Sequence, residues 1–80
     1  MMRVDKFLKN ARLIKRRTVG KAACDGGRIT INGKDAKPGT KLKVGDVVGI
    51  TYGNGEQRVE VLELLEHAPK DRAVEMYREL

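Results

Sequence analysis

Apolar residues fall at Val4, Phe7, Leu8 and Ala11, the i, i+3, i+4, i+7 spacing that lays one stripe along one side of a helix. Lys6 and Lys9 point away from that stripe, while Arg3 and Asn10 share one flank. Leu13 and Ile14 sit in a short connection. A second helix is predicted from Thr18, whose hydroxyl can cap the free N–H groups of the first turn, to Asp25, with Gly26-Gly27 as its stop. Its buried face consists of the small pairs Val19/Ala23 and Gly20/Cys24, which allow close approach to the first helix. The pattern then changes period. Arg28-Ile29-Thr30-Ile31-Asn32 alternates and reads as a strand, and Asn32-Gly33 is a tight-turn signal because both residues tolerate positive φ.

Lys37-Pro38-Gly39 marks a further turn. Val47 to Tyr52 reads as a strand, Gly53-Asn54-Gly55 as a turn, and Gln57 to about Leu65 as a long strand. Pro69 suits the first turn of a terminal helix, in which Ala73, Met76, Tyr77 and Leu80 again follow helical spacing. The expected fold class is α+β: two short N-terminal helices packed on a small, mainly antiparallel sheet, and a C-terminal helix. Residues 1–65 form the expected domain, and 66–80 a helical tail. No linker, repeat or low-complexity tract interrupts the chain.

Charge changes the picture more than composition does. Thirteen Lys or Arg and three acids lie between Met1 and Lys43, whereas Val44 to Leu80 holds four basic residues and eight acidic ones. Positive charge gathered on one segment points to a polyanionic partner, nucleic acid above all. The densest run, Lys15-Arg16-Arg17-Thr18, lies at the start of the second helix, where the helix dipole adds to its field. Arg3, Lys6, Lys15, Arg16, Arg17, Lys21 and Lys34 are expected to form one face, with Thr18, Arg28 and Asn32 as further contacts. Lys9, Arg12, Lys41 and Lys43 stay open between contact and solvation. Asp5 is either a first-turn carboxylate favoured by the dipole or a group that orients a nearby arginine.

With Phe7, Tyr52 and Tyr77 as the only aromatics, Phe7 on the buried stripe and both tyrosines outside the basic half, base stacking has few candidates. Recognition is therefore expected to act on a folded nucleic acid through backbone and shape. A single cysteine, Cys24, excludes an internal disulfide, and with one histidine, His67, there is no Cys/His zinc set. No apolar run approaches a membrane span, and the first apolar cluster is broken by charges, so a cytoplasmic protein is expected. No Ser/His/Asp set, glycine-rich nucleotide loop or pair of catalytic carboxylates is present. A non-catalytic protein without cofactor or metal is the expectation.

The runs Arg3-Val4-Asp5-Lys6-Phe7-Leu8, Arg16-Arg17-Thr18, Gly27-Arg28-Ile29-Thr30-Ile31-Asn32-Gly33-Lys34 and Val44-Gly45-Asp46-Val47-Val48 together resemble the S4 RNA-binding domain, in that family's order and at its spacings. The resemblance implies an S4-like (alpha-L) fold and RNA binding. One departure is Arg16, where many members carry Ser, so a serine contact to phosphate does not carry over. Thr18 is the candidate hydroxyl at the cap instead. Within the family, the run from Arg3 to Thr18 is similar to small stand-alone members of bacterial ribosome-associated quality control. That likeness implies binding to large-subunit rRNA, and with it peptidyl-tRNA, on split large ribosomal subunits; a monomer is the expected state. A partner factor would there add a C-terminal tail to the stalled chain. The heat-shock S4 proteins are the alternative, and an S4 fragment of an RNA-modifying enzyme is a further one, for which eighty residues leave no room for a catalytic domain.

Overall fold

The computed structural model describes residues 1–80. The apolar stripe read from the sequence is the bottom of α1 (Val4–Asn10), and Val4, Phe7, Leu8 and the capping Ala11 are all buried. Ahead of it, β1 (Met2–Arg3) pairs with β4 (Lys41–Leu42) in a two-stranded antiparallel ribbon, so the start of α1 is tied down by the 38–42 segment. The amide of Val4 donates to the Thr40 carbonyl at 2.8 Å, and that of Asp5 to the Pro38 carbonyl at 3.3 Å.

The second helix, α2, spans Arg17–Asp25 and not Thr18 onward. Arg16 occupies the N-cap position and no side chain bonds to the first turn, so the expected Thr18 cap is absent. The backbone carbonyl of Arg16 instead begins the helix by accepting from Gly20. Gly20, Ala23 and Cys24 form the buried face, while Val19 is half exposed because α2 turns its small residues toward α1.

The main sheet has the order β3-β2-β5-β6-β7, antiparallel throughout, from β2 (Ile29–Ile31), β3 (Lys34–Asp35), β5 (Val47–Tyr52), β6 (Gly55–Val61) and β7 (Tyr77–Glu79). Asn32 and Gly33, at φ 53° and 86°, make the primed turn between β2 and β3 that the Asn-Gly pair predicts. Asp46, nearly buried, steers the chain into β5: its carboxylate accepts from the Lys43 amide at 3.0 Å and from Asn32 Nδ2 at 3.2 Å. One glycine in the sheet is sterically required, because a Cβ on Gly49 would meet Thr30 Oγ1 at 2.5 Å.

The C-terminal region departs from expectation. The long strand ends at Val61 and not near Leu65. The predicted terminal helix is a single 3-10 turn, Ala73–Met76, followed by β7. The physical reason is the free edge of β6. A segment of eight or so residues is too short to hold an α-helix by itself, whereas antiparallel pairing satisfies the backbone groups of both segments. Tyr77 pairs with Val61 and Arg78 with Glu60, and Met76 drops into the core at 0% exposure. Residues 66–80 thus finish the sheet. No helix is long and apolar enough to cross a membrane.

Candidate nucleic-acid interface

The arrangement begins with a carboxylate inside the protein. Asp5 lies in the first turn of α1 with its side chain wholly buried, and every bond it makes is to a cation or an amide. Arg3 grips it with two nitrogens, Nε to Oδ1 and Nη2 to Oδ2, both at 3.1 Å. The Lys6 amide donates to Oδ1 at 2.8 Å, and Arg17 Nε stands 3.4 Å from Oδ2. Burial alone would raise the pKa of Asp5, but the Arg3 hydrogen bonds and the Arg17 charge outweigh it and hold the carboxyl below its ordinary range. Arg3 and Arg17, from the starts of α1 and α2, are thereby fixed side by side with 40% and 44% of their side chains still exposed. Both readings of Asp5 fit: it is a first-turn carboxylate of α1, and it also orients two arginines.

Beside this pair lies a groove of about 800 Å³. Lys6, Lys9 and Asn10 of α1, Arg12, Ile14 and Lys15 of the connection, and Arg17 form one side. Glu66, His67, Ala68 and Pro69 form the other. Asn10 carries that second wall: its Nδ2 donates to the carbonyls of Leu65 at 3.1 Å and Glu66 at 3.0 Å. Lys6 pairs with Glu66, whose pKa is lowered by that hydrogen bond and the lysine's charge. The groove therefore presents five Lys or Arg side chains against one acid.

Of the residues expected from the sequence, Lys6, Lys15 and Arg17 line the groove, and Arg3 joins them through Asp5. Arg16, Thr18 and Lys21 are exposed at and beyond the start of α2 but do not line it. Arg28 and Lys34 are exposed on the β2–β3 side of the molecule, away from the groove lining. The side chain of Asn32 is turned to structural use, with Nδ2 on Asp46 and Oδ1 accepting from the Val47 amide at 3.0 Å. Lys9 and Arg12, left open by the sequence, are groove residues. Their placement was partly legible, since Lys9 lies one turn beyond Lys6 on α1. The 65–69 wall carried no local signal at all.

The charge asymmetry survives folding. In the acidic half, three of four cations are consumed by Glu partners: Arg58 by Glu56, Arg72 by Glu63 and Glu75, and Arg78 by Glu60. In the basic half only Arg3, Lys6 and Arg17 are ion-paired out of thirteen. Uncompensated positive charge thus stays on the basic half, and Lys9, Arg12 and Lys15 bring part of it into the groove. Cys24 takes no part: burial and the nearby charges of Asp5 and Asp25 push its thiol up to about 11, which leaves it protonated and unreactive.

Comparison with known proteins shows the family. Residues 2–48 match the S4 domain family. The chain is 50% identical over 76 residues to the RQC P-site tRNA stabilizing factor of Listeria innocua, covering 95% of this chain and 83% of the relative. It is 47% identical over 76 residues to the protein of the same name from Bacillus subtilis, covering 95% and 88%. Among solved structures, Heat Shock Protein 15 of Vibrio cholerae superposes with a TM-score of 0.90 at 28% identity, over 98% of this chain and 80% of the other. With its motifs, its α1–α2 unit and these relatives in agreement, the chain belongs to the S4 domain family, in the group of RQC P-site tRNA stabilizing factors.

Proposed function

We propose that this protein is a non-catalytic RNA-binding factor of ribosome-associated quality control, which grips rRNA and peptidyl-tRNA on split large ribosomal subunits. The observation that carries the reading is the Arg3–Asp5–Arg17 cluster at the edge of a groove lined by five Lys or Arg, of which Lys9, Arg12 and Lys15 are unpaired. A guanidinium held in place loses less freedom on meeting a phosphate than a mobile one, and offers a planar fork to it. The names of the relatives support the same role. The partner that benefits is a factor that adds a C-terminal tail to the stalled chain while the tRNA is held. The protein acts as a monomer in the cytoplasm, and the contacts come from Arg3, Lys6, Lys15 and Arg17, flanked by Arg16, Thr18 and Lys21. The β2–β3 residues Arg28 and Lys34 would meet a separate stretch of RNA, with Asn32 shaping the hairpin rather than touching phosphate.

The likeness to Heat Shock Protein 15 favours a second reading, binding to large subunits without a role in tail addition. Deletion in cells separates the two. Loss of C-terminal tails on stalled chains is the result expected here, and unchanged tails with accumulated obstructed subunits would favour the second.

Gradient sedimentation with large subunits tests the site itself. Arg17→Ala should weaken association by roughly ten- to over a hundredfold, the worth of one charge-assisted contact of about 1.5–3 kcal/mol. The fold should persist, because Asp5 keeps Arg3 as a partner. Arg17→Lys should recover only part of the binding, for it restores charge without the fork. Arg78→Ala, whose arginine is engaged by Glu60 at the far edge of the sheet, should sediment like the parent. Parent-like sedimentation of Arg17→Ala, or a greater loss in Arg78→Ala, would place the RNA on another face.

A further inference from the structure

Two residues other than glycine have positive φ, Asn32 at 53° and Arg12 at 60°. Asn32 is accounted for: asparagine tolerates this region well, and its side chain is bonded to Asp46 and to the Val47 amide. Arg12 has no such account. It stands one residue beyond the C-cap Ala11 of α1, where a helix commonly ends on a left-handed glycine. The hydrogen bonds are those of that ending. The Arg12 amide donates to the Lys9 carbonyl at 3.0 Å, and the Leu13 amide reaches back to the Leu8 carbonyl at 3.0 Å. Ile14 adds a third, also to Leu8, at 3.1 Å, and Leu13 and Ile14 pack against the core. The backbone is therefore obliged to be left-handed at position 12 by what precedes and follows it.

Glycine meets that demand without steric cost, and this chain uses it at positive φ at Gly27, Gly33 and Gly45. At position 12 the chain carries instead a long cation that is exposed and makes no ion pair or side-chain hydrogen bond. The backbone bonds around position 12 hold the strained conformation, but the arginine side chain adds no contact that a glycine would lack. What the arginine does have is a position, in the wall of the basic groove between Lys9 and Lys15.

We infer that Arg12 is an RNA-contacting residue retained in a left-handed backbone site at the expense of fold stability, its guanidinium engaging a phosphate in the groove. The inference rests on the RNA-binding reading above and adds to it a residue that a helix ending has no structural reason to supply. Residues held in sparsely populated backbone regions by their surroundings cluster at functional sites, where selection acts on binding and not on stability alone.

Thermal melting and large-subunit affinity, measured on the full chain for Arg12→Gly, Arg12→Ala and Arg17→Ala, test it. Arg12→Gly should melt at or above the parent temperature and bind about tenfold or more weakly. Arg12→Ala should bind as weakly as Arg12→Gly but melt below it, since it loses the same contact and keeps the strain. If Arg17→Ala binds weakly while Arg12→Gly binds like the parent, the inference fails and the RNA-binding reading stands. If neither substitution weakens binding, the reading itself falls and takes the inference with it. A lower melting temperature for Arg12→Gly than for the parent would show that the arginine serves the fold, and would also overturn the inference.

Discussion

Asp5 is the residue on which the site turns. A wholly buried carboxylate is costly unless paired, and here two guanidiniums and the Lys6 amide supply the pairing. Removing its charge should therefore act twice, on stability and on the orientation of Arg3 and Arg17. Asp5→Asn should lose roughly 1.5–3 kcal/mol near neutral pH, the range for a hydrogen bond to a charged group. The dependence on pH has a definite sign. The folded-state pKa of Asp5 lies below its unfolded value of about 3.9. Its contribution is thus complete above that unfolded value and is lost as pH falls through the lower folded one. The gap in stability between the parent and Asp5→Asn should be full above the unfolded value and close as pH falls through the lower folded one, as read by denaturant unfolding at several pH values. A gap that stayed constant would mean that the carboxylate's charge is not what stabilises the cluster.

At the scale of elements, the last strand decides more than its length suggests. Met76 is completely buried in the same core as Phe7, Leu8, Ile29 and Val59, and β7 covers the edge of β6. Covering that edge also removes a template for pairing with other chains. Met76→Ala should cost about 2–5 kcal/mol. Truncation after Pro69 removes Met76 and β7 together and should abolish a cooperative melting transition, or leave a species that aggregates. Circular dichroism and light scattering on the truncated chain check this. A truncated form that melts like the parent would show the strand to be dispensable. The groove is subject to the same dependence, since its second wall, Glu66 to Pro69, connects β6 to this closing segment.

Over the whole molecule, the distribution of charge separates two surfaces. The edge formed by β6 and β7 neutralises its own cations with Glu partners, whereas the α1–α2 end leaves most of its cations free. Such a molecule orients itself in the field of a polyanion before contact is made. If four to six phosphates are neutralised, the logarithm of affinity for large-subunit RNA should fall with the logarithm of salt at a slope of roughly −3 to −5. Titration of binding between about 50 and 300 mM salt measures it, and a flat response would remove the electrostatic basis of the site.

The local sequence by itself determined the two helices and the Asn32-Gly33 turn. Periodicity, the small faces of α2 and the left-handed tolerance of Asn-Gly are all short-range properties. It also assigned the positive charge to the first half of the chain, with thirteen cations against three acids. Only the tertiary structure decided what depended on distant partners. Ala73 to Leu80 have helical spacing, yet became a turn and a strand because β6 offered an unpaired edge. Asn32 had the look of a contact residue until Asp46, fourteen positions on, claimed its amide. The pairing of Arg3 with Arg17 needed both the β1–β4 ribbon, which holds the chain start, and the close packing of α2 on α1, which delivers Arg17 to a carboxylate twelve residues earlier. Charge is written along the chain, but its arrangement in space is set by contacts that no local window contains.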